Sequence, residues 1–490
     1  MQSETRTKLP NDKRLERARQ HVSDLWFPVN TKLLERIRVN LSKNHYDSDI
    51  VSLVHEIKSD FSLFTFCLKK LAQILASEGV SAPRVANPIE LLEWGGLQRL
   101  KKILTTENKD ISGHSLSKMS DLQMSRYAEA MTSAATAEAL SEKVGLDPET
   151  GFSAALLRQL GYTLIAWNYP TIYQRAVASM KSGMKLDVAI AQLLGFSPSL
   201  LAVSVVQEWG LAPEIYAAFD DYAVQSDDDL EREAQVRAVG DTLAKICKVG
   251  EALARANNPT IYPTARSDWQ TARTEIEKRL GANGLDAIRD KVKDHCEVFI
   301  EQVPHVFRAG FALEPEIRIA QQLKHEVGSR NPYIERCPGE TRNALEELYQ
   351  RLDPSEILRE NVSFLMREII PGAGFNGGCV FTIDPTSMRL VPQTLIGRVM
   401  GRAVQAVPYS QFEQTSDAIA EAYRTKGQVL EFRETTDGAK LCICGVLGFS
   451  QRIGVLYLEA PKARFADAEE ELQTIFKAFT QAINDCLNLR

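Results

Sequence analysis

The chain has 490 residues, of which 44% are apolar and 25% charged, and a formal net charge of -6. That length exceeds one compact core and points to two or three domains of ordinary globular composition. The acidic balance argues against a general nucleic-acid binder, and no apolar run approaches the roughly 20 residues that span a bilayer.

The N-terminus "MQSETRTKLPNDKRLERARQ" has no apolar core, so no secretory signal is expected. Eight cysteines spread over the whole length are too sparse for a disulfide framework and suit a reducing cytoplasm. Residues 1–20 read as a flexible basic tail or a fraying first helix. From 21 to 306 the pattern is helical. Ile50, Leu53, Val54, Ile57, Phe61, Phe64 and Leu68 recur at helical spacing. In "GLDPETGFSAALL", Gly145 ends one helix, Asp147 caps the next and Pro148 fills its first position. "GFSPSLL" and "GLAPEIY" repeat that punctuation.

Residues 307–350 have mixed polarity with Gly and Pro, and read as a connector. A domain of 351–490 follows. "LDPSEILRENVSFLMREII" opens it as a helix with Asp353 as cap, Pro354 at the first position and Glu356 at capping-box spacing, a cap worth roughly 1 kcal/mol. "GGCVFTID", "GQVLEFRE", "KLCICGVLG" and "RIGVLYLEA" then read as strands. Both alternating sets are apolar: Cys379, Phe381 and Ile383 against Val380 and Thr382, and Ile453, Val455 and Tyr457 against Leu456 and Leu458. A sheet with two apolar faces is covered on both sides. A final helix carries Leu472, Ile475, Phe479, Ala482 and Cys486 as a stripe, with acidic residues in its first turn. The fold class is therefore multidomain: an all-α domain, then an α+β domain with a mainly antiparallel sheet.

Several stretches of the helical part resemble the HD-related output domain (HDOD) family, relatives of the HD phosphohydrolases. They are "YAEAMTSAATAEALSEKVGLDPETGFSAALLRQLGY", "NYPTIYQ" and "AIAQLLGFSPSLLAVSVVQEWGLAPEIYAAF", with Trp209-Gly210-Leu211-Ala212-Pro213 where the family has Trp followed by Leu-Pro. "EIKSDFSLFTFCLKKLAQ" resembles the family's Asp-Pro-x-Leu segment, with Phe61 in place of the proline. In catalytic HD relatives a metal-binding His-Asp pair stands where this chain has Arg158 and Gln159. The upstream ligand His, expected near Met124 to Tyr127, is missing, and Phe219 to Tyr222, "FDDY", stands where relatives often carry a His pair.

Metal-assisted hydrolysis needs ions that activate water and neutralise developing charge. Arginine offers no lone pair. One unit of positive charge about 4 Å from a divalent cation repels it by about 8 kcal/mol at an effective dielectric of about 20. Two readings of Arg158 and Gln159 stand: a partly exposed helix face with the arginine stem over apolar neighbours, or Arg158 paired with a buried carboxylate or a ligand phosphate.

The C-terminal part resembles a GAF-type domain, through its order of elements and "RIGVLYLE". The segment between its first and second recognised strands sits where GAF domains form a pocket lid, with a short helix over Ser416 to Tyr423. The resemblance implies a cavity on one sheet face near Cys379, Phe381, Cys442 and Cys444. Cys442 and Cys444 share a strand face and would help hold a metal if Cys379 came near; a buried strand of small apolar side chains is the plainer reading. His295 beside Cys296 reads as structural, and neither a phosphate loop nor a dinucleotide glycine pattern occurs.

These observations imply a cytoplasmic, bacterial signalling protein without catalytic activity and without a cofactor. Its degenerate HD-type domain would act through a protein partner, modulated by a GAF-like domain that binds a small molecule or dimerises. Neither nucleic acid nor membrane is expected as a partner. A divergent metal-dependent phosphohydrolase is the alternative. A homodimer through the C-terminal domain is also expected, because the helix from Asp353 and the helix from Asp467 to Leu487 each carry apolar surface beyond one stripe.

Overall fold

The computed structural model describes residues 13–81, 87–219, 230–302, 312–352, 357–397, 405–409, 417–425, 427–435, 438–448, 451–465 and 468–489. The chain divides into two compact units, Met1–Ile319 and Ala320–Arg490.

The first unit is helical throughout its described residues. Its centre is the long helix Asp121–Lys143, which Ser120 opens with a capping box to Gln123. This helix is buried on nearly every side because its core residues are small: Ala130, Ala134, Ala135 and Ala137 carry no bulk that would hold a neighbour away. The helix Pro148–Asn168 packs along it, capped by Asp147 with Pro148 in the first turn. The helix Leu230–Ala256 covers a further side. A methyl group on Gly250 would collide with the backbone of Ser133, so this glycine permits the close approach.

The Asp60 carboxylate caps the helix Phe61–Glu78, accepting from Leu63 N at 3.0 Å. Phe61, which replaces the expected proline, uses the N–H that proline lacks: it donates to the Tyr127 hydroxyl at 3.2 Å. Two expectations need correction here. Residues 13–20 are no tail, because the helix Lys13–Asp24 buries Leu15, Ala18 and Val22 in the unit's core; residues 1–12 lie outside the described residues. Position 306, the expected domain end, also lies outside them, and the unit extends to Ile319.

The second unit begins well before 351. The expected connector, 307–350, contains the helices Pro315–Arg330 and Gly339–Arg351. Val327, Ile334, Cys337, Leu345, Leu348 and Tyr349 from this stretch are buried in the second unit's core. The division between units falls inside Pro315–Arg330, between Ile319 and Ala320. Amphipathic helices carried into a foreign-looking composition by their charged outer faces are why the stretch resembles a linker.

The sheet has six antiparallel strands: β1 Gly377–Asp384, β2 Arg389–Gly397, β3 Val407–Pro408, β4 Val429–Thr435, β5 Gly438–Leu447 and β6 Gly454–Pro461. Their order is β3-β2-β1-β6-β5-β4. β2 is not recognised in the sequence because Pro392 argues against a strand. It is accommodated where the β1–β2 register slips between Val380 and Phe381, leaving Gln393 as the extra residue of a bulge.

The two apolar faces divide as their alternation predicts. Val380, Leu456 and Leu458 point to the side covered by the helix Glu469–Cys486, and Cys379, Phe381, Val455 and Tyr457 to the other. The helix opening this domain runs from Arg359 through a widened turn, Leu365–Ile369, to Gly372; Asp353, Pro354 and Glu356 lie outside the described residues. Pro371 cannot donate into the preceding turn, and the widening sits just before it.

Much of the apolar surface on these two helices is covered within the chain, while Leu358 and Val362 are only partly buried. Leu365, Ile369, Ile475, Phe476, Phe479 and Ile483 are all buried in the unit's own core. On the side away from the sheet, Asn331 donates to the Ala478 carbonyl at 2.8 Å and the Tyr349 hydroxyl to Asp485 at 2.6 Å. The helices read as a connector thus cover part of this surface.

Candidate functional site

The structure overturns the reading of Arg158 and Gln159 as a partly exposed face. They are 7% and 3% exposed and lie inside the first unit. Arg158 donates from Nε to Glu251 Oε1 at 2.8 Å, from a terminal nitrogen to Glu251 Oε2 at 3.4 Å, and to the Ala218 carbonyl. Gln159 donates to the same Glu251 Oε1 at 3.2 Å. The helix Leu230–Ala256 therefore supplies one carboxylate that receives both side chains.

Arg126 completes the cluster. It stands within the window Met124 to Tyr127 where an upstream metal ligand is expected, about one helical turn before Ala130. It donates to Gln159 Oε1 at 2.6 Å and pairs with Glu129 at 2.9 Å. Glu129 in turn accepts from Tyr262 at 2.7 Å and from Asn258 at 2.8 Å. Burial disfavours the charged form of Arg126, but the Glu129 carboxylate outweighs it and holds the guanidinium above its ordinary range. Burial, then the Glu129 charge, pushes the Tyr262 hydroxyl well up, so it remains a donor at neutral pH.

These residues do not fit a divalent cation. Arg158 and Arg126 are cations without lone pairs, and Gln159 Oε1 accepts from Arg126, which would hold a positive charge beside any ion there. Asp220 to Tyr222 of "FDDY" lie outside the described residues; Phe219 is buried. Among the described residues no group of three or more His, Cys, Asp or Glu side chains could hold a metal ion.

Glu251, Glu129 and Tyr262 were not singled out from the sequence. The available signal was spacing: Arg126 and Glu129 stand three apart on a helix, and Glu251 and Arg255 four apart. Such spacings are common on solvated faces, so only the packing distinguishes these.

His295 is also paired. Its Nε2 lies 2.6 Å from Glu138 Oε2, and Lys58 Nζ approaches Glu138 Oε1 at 3.4 Å. Burial pushes the Glu138 carboxyl up; the His295 hydrogen bond and the charges of His295, Lys58 and Lys291 outweigh it and bring it down to about 2.

In the second unit, Cys379, Phe381, Cys442 and Cys444 do share one sheet face, as their alternation requires. That face is covered by the helix Ala418–Thr425, whose Ala418, Ile419 and Ala422 are buried against it. Ser416, the expected helix start, lies outside the described residues. Burial pushes the Cys379 thiol up to about 11 and the Cys444 thiol further, so neither is a thiolate at neutral pH. Cys442 Sγ is 3.3 Å from the Tyr457 hydroxyl, which lies 2.6 Å from Glu459. The four proposed pocket residues are thus side chains of a packed layer.

Residues 36–222 match the family model described as HDOD domain. Arg126, Arg158 and Gln159 fall within that match and Glu251 beyond it. No curated protein matches the chain. Among solved structures, similarity extends to the MmoQ response regulator of Methylococcus capsulatus, at 15% identity over 50% of this chain and 92% of that one, with a TM-score of 0.36. A virulence factor from Campylobacter jejuni is similar at 14% identity over 58% and 98%, TM-score 0.38. An HDOD domain protein of unknown function from Geobacter sulfurreducens is similar at 18% identity over 59% and 98%, TM-score 0.29. Among the described residues, no single helix is long and apolar enough to cross a membrane.

Proposed function

We propose that this protein is a non-catalytic signal-transduction protein. Its HDOD-type helical domain works through contacts with protein partners, and its C-terminal sheet domain, of GAF type, modulates it. The observation that carries the reading is the Arg158–Glu251 pair, closed by Gln159 and Arg126. Where HD phosphohydrolases concentrate ligands for divalent cations, this chain concentrates cations and commits its nearby carboxylates to them. An ion pair of this kind cross-links three helices and sets two guanidinium cations where a metal would have to sit. The GAF-type reading is supported by the order helix, antiparallel sheet, helix, and by the strand β6.

The test is elemental analysis of the purified full chain with an assay against cyclic dinucleotides and generic phosphodiesters. The expected outcome is no stoichiometric iron, manganese or zinc, and no turnover. Phosphodiesterase activity abolished by chelator would replace this reading with that of a divergent phosphohydrolase.

A further inference from the structure

Beside the Arg158–Glu251 pair lies a cavity of about 470 Å³, within the size range of small-molecule sites. Its wall carries charge of both signs. Arg126 faces it with Glu129, and Arg255 with Asp268, the latter pair bidentate at 2.8 and 3.1 Å. Glu251 also lines it, with Arg158 bound behind. Lys185 and Asp187, both exposed, stand on the wall as a further pair of opposite sign. The remainder is largely apolar or aromatic, from Tyr162, Met180, Met184 and Leu186.

Such a wall discriminates by charge type. An anion would meet cations already committed to carboxylates, and a cation would meet carboxylates already committed to guanidinium groups. Either would bring uncompensated charge into a partly desolvated site. A molecule carrying both charges pairs each with its opposite and brings no net charge. The Arg126 side chain is 5% exposed, held by Glu129 and Gln159 and in contact with Tyr173. The Tyr162 ring, with the Arg126 guanidinium 5.3 Å from its centroid, offers a flat surface for an apolar or aromatic group.

We propose that this cavity binds a zwitterionic small molecule with an apolar or aromatic side chain, of the size of an amino acid or dipeptide. This rests on the reading that the cleft holds no catalytic metal, and deepens it by naming a ligand class for the helical domain.

The experiment is calorimetric titration of the full chain with L-phenylalanine and L-phenylalanyl-L-phenylalanine, and with two singly charged analogues, 3-phenylpropionate and 2-phenylethylamine. At least one zwitterion should bind about tenfold or more tightly than either analogue. Ser267→Trp, at an exposed position on the wall, should weaken that binding about tenfold without shifting Tm, and Met184→Trp gives a second, independent obstruction. Absence of saturable binding by both zwitterions would overturn the proposal. So would equal binding of a singly charged analogue, or binding untouched by both variants. None of these results bears on the missing metal chemistry, which stands or falls on elemental analysis and turnover.

Discussion

Arg158 and Glu251, separated by 93 positions in sequence, meet through a 2.8 Å Nε–Oε1 hydrogen bond and a second contact at 3.4 Å. Arg158 is almost wholly buried, and the Glu251 side chain is 18% exposed. Removing one partner of such a pair leaves the other charge in low dielectric. Glu251→Ala should therefore cost about 3–5 kcal/mol in urea denaturation. The double variant Arg158→Leu/Glu251→Leu should cost much less than the two single changes summed. A Glu251→Ala cost close to zero would show that the pair is solvated in solution.

Introducing a His-Asp pair at positions 158 and 159 should not create a metal site. In Arg158→His/Gln159→Asp, Arg126 still stands where the upstream ligand is needed, within hydrogen-bonding distance of position 159. The expected outcome is no stoichiometric manganese or zinc by elemental analysis and no phosphodiesterase turnover. Tight metal binding by this variant would place the remaining ligands elsewhere than Arg126.

Glu138 sets an acid limb. Its carboxyl is brought from 4.5 to about 2 in the folded chain, against burial, by His295, Lys58 and Lys291. A carboxyl with a depressed folded pKa contributes stability above its unfolded value, and that contribution drains away as pH falls from about 4.5 toward 2. The contribution is about 3 kcal/mol. Glu138→Gln should lower stability at neutral pH and flatten this part of the stability–pH profile. An unchanged slope between pH 4.5 and 2 in the variant would remove Glu138 as its source.

Gly161 closes the stretch that carries Arg158. A methyl group there would overlap the Pro198 carbonyl oxygen and press on Ala202. Gly161→Ala should destabilise by about 1–3 kcal/mol, although alanine is the better helix former by about 1 kcal/mol. Thermal and urea unfolding read the sign: stabilisation would mean that the two helices separate freely.

The second unit should fold from residue 320 but not from 351. A fragment of 351–490 lacks Ile334, Leu345, Leu348 and Tyr349, all buried in its core. Each large side chain contributes about 2 kcal/mol of burial, so the shorter fragment should be loose or aggregated and the 320–490 fragment cooperative in denaturant. Equal stability of the two would refute the boundary at Ala320.

The sequence by itself determined the elements whose signals are local. The caps at Asp147 and Pro148, the helical periodicity of Ile50 to Leu68 and the double alternation of β1 and β6 depend on neighbours within a few residues. It also determined that Arg158 cannot ligate a cation, since a guanidinium group carries no lone pair. Tertiary structure decided what those groups do instead. Whether a helix face carrying Arg and Gln is solvated depends on Glu251, 93 positions away, and no spacing rule joins them. The same reason accounts for the two helices read as a connector. Amphipathicity reports that a face will be covered, whereas the covering segment is chosen by long-range packing, which here brings Tyr349 to Asp485.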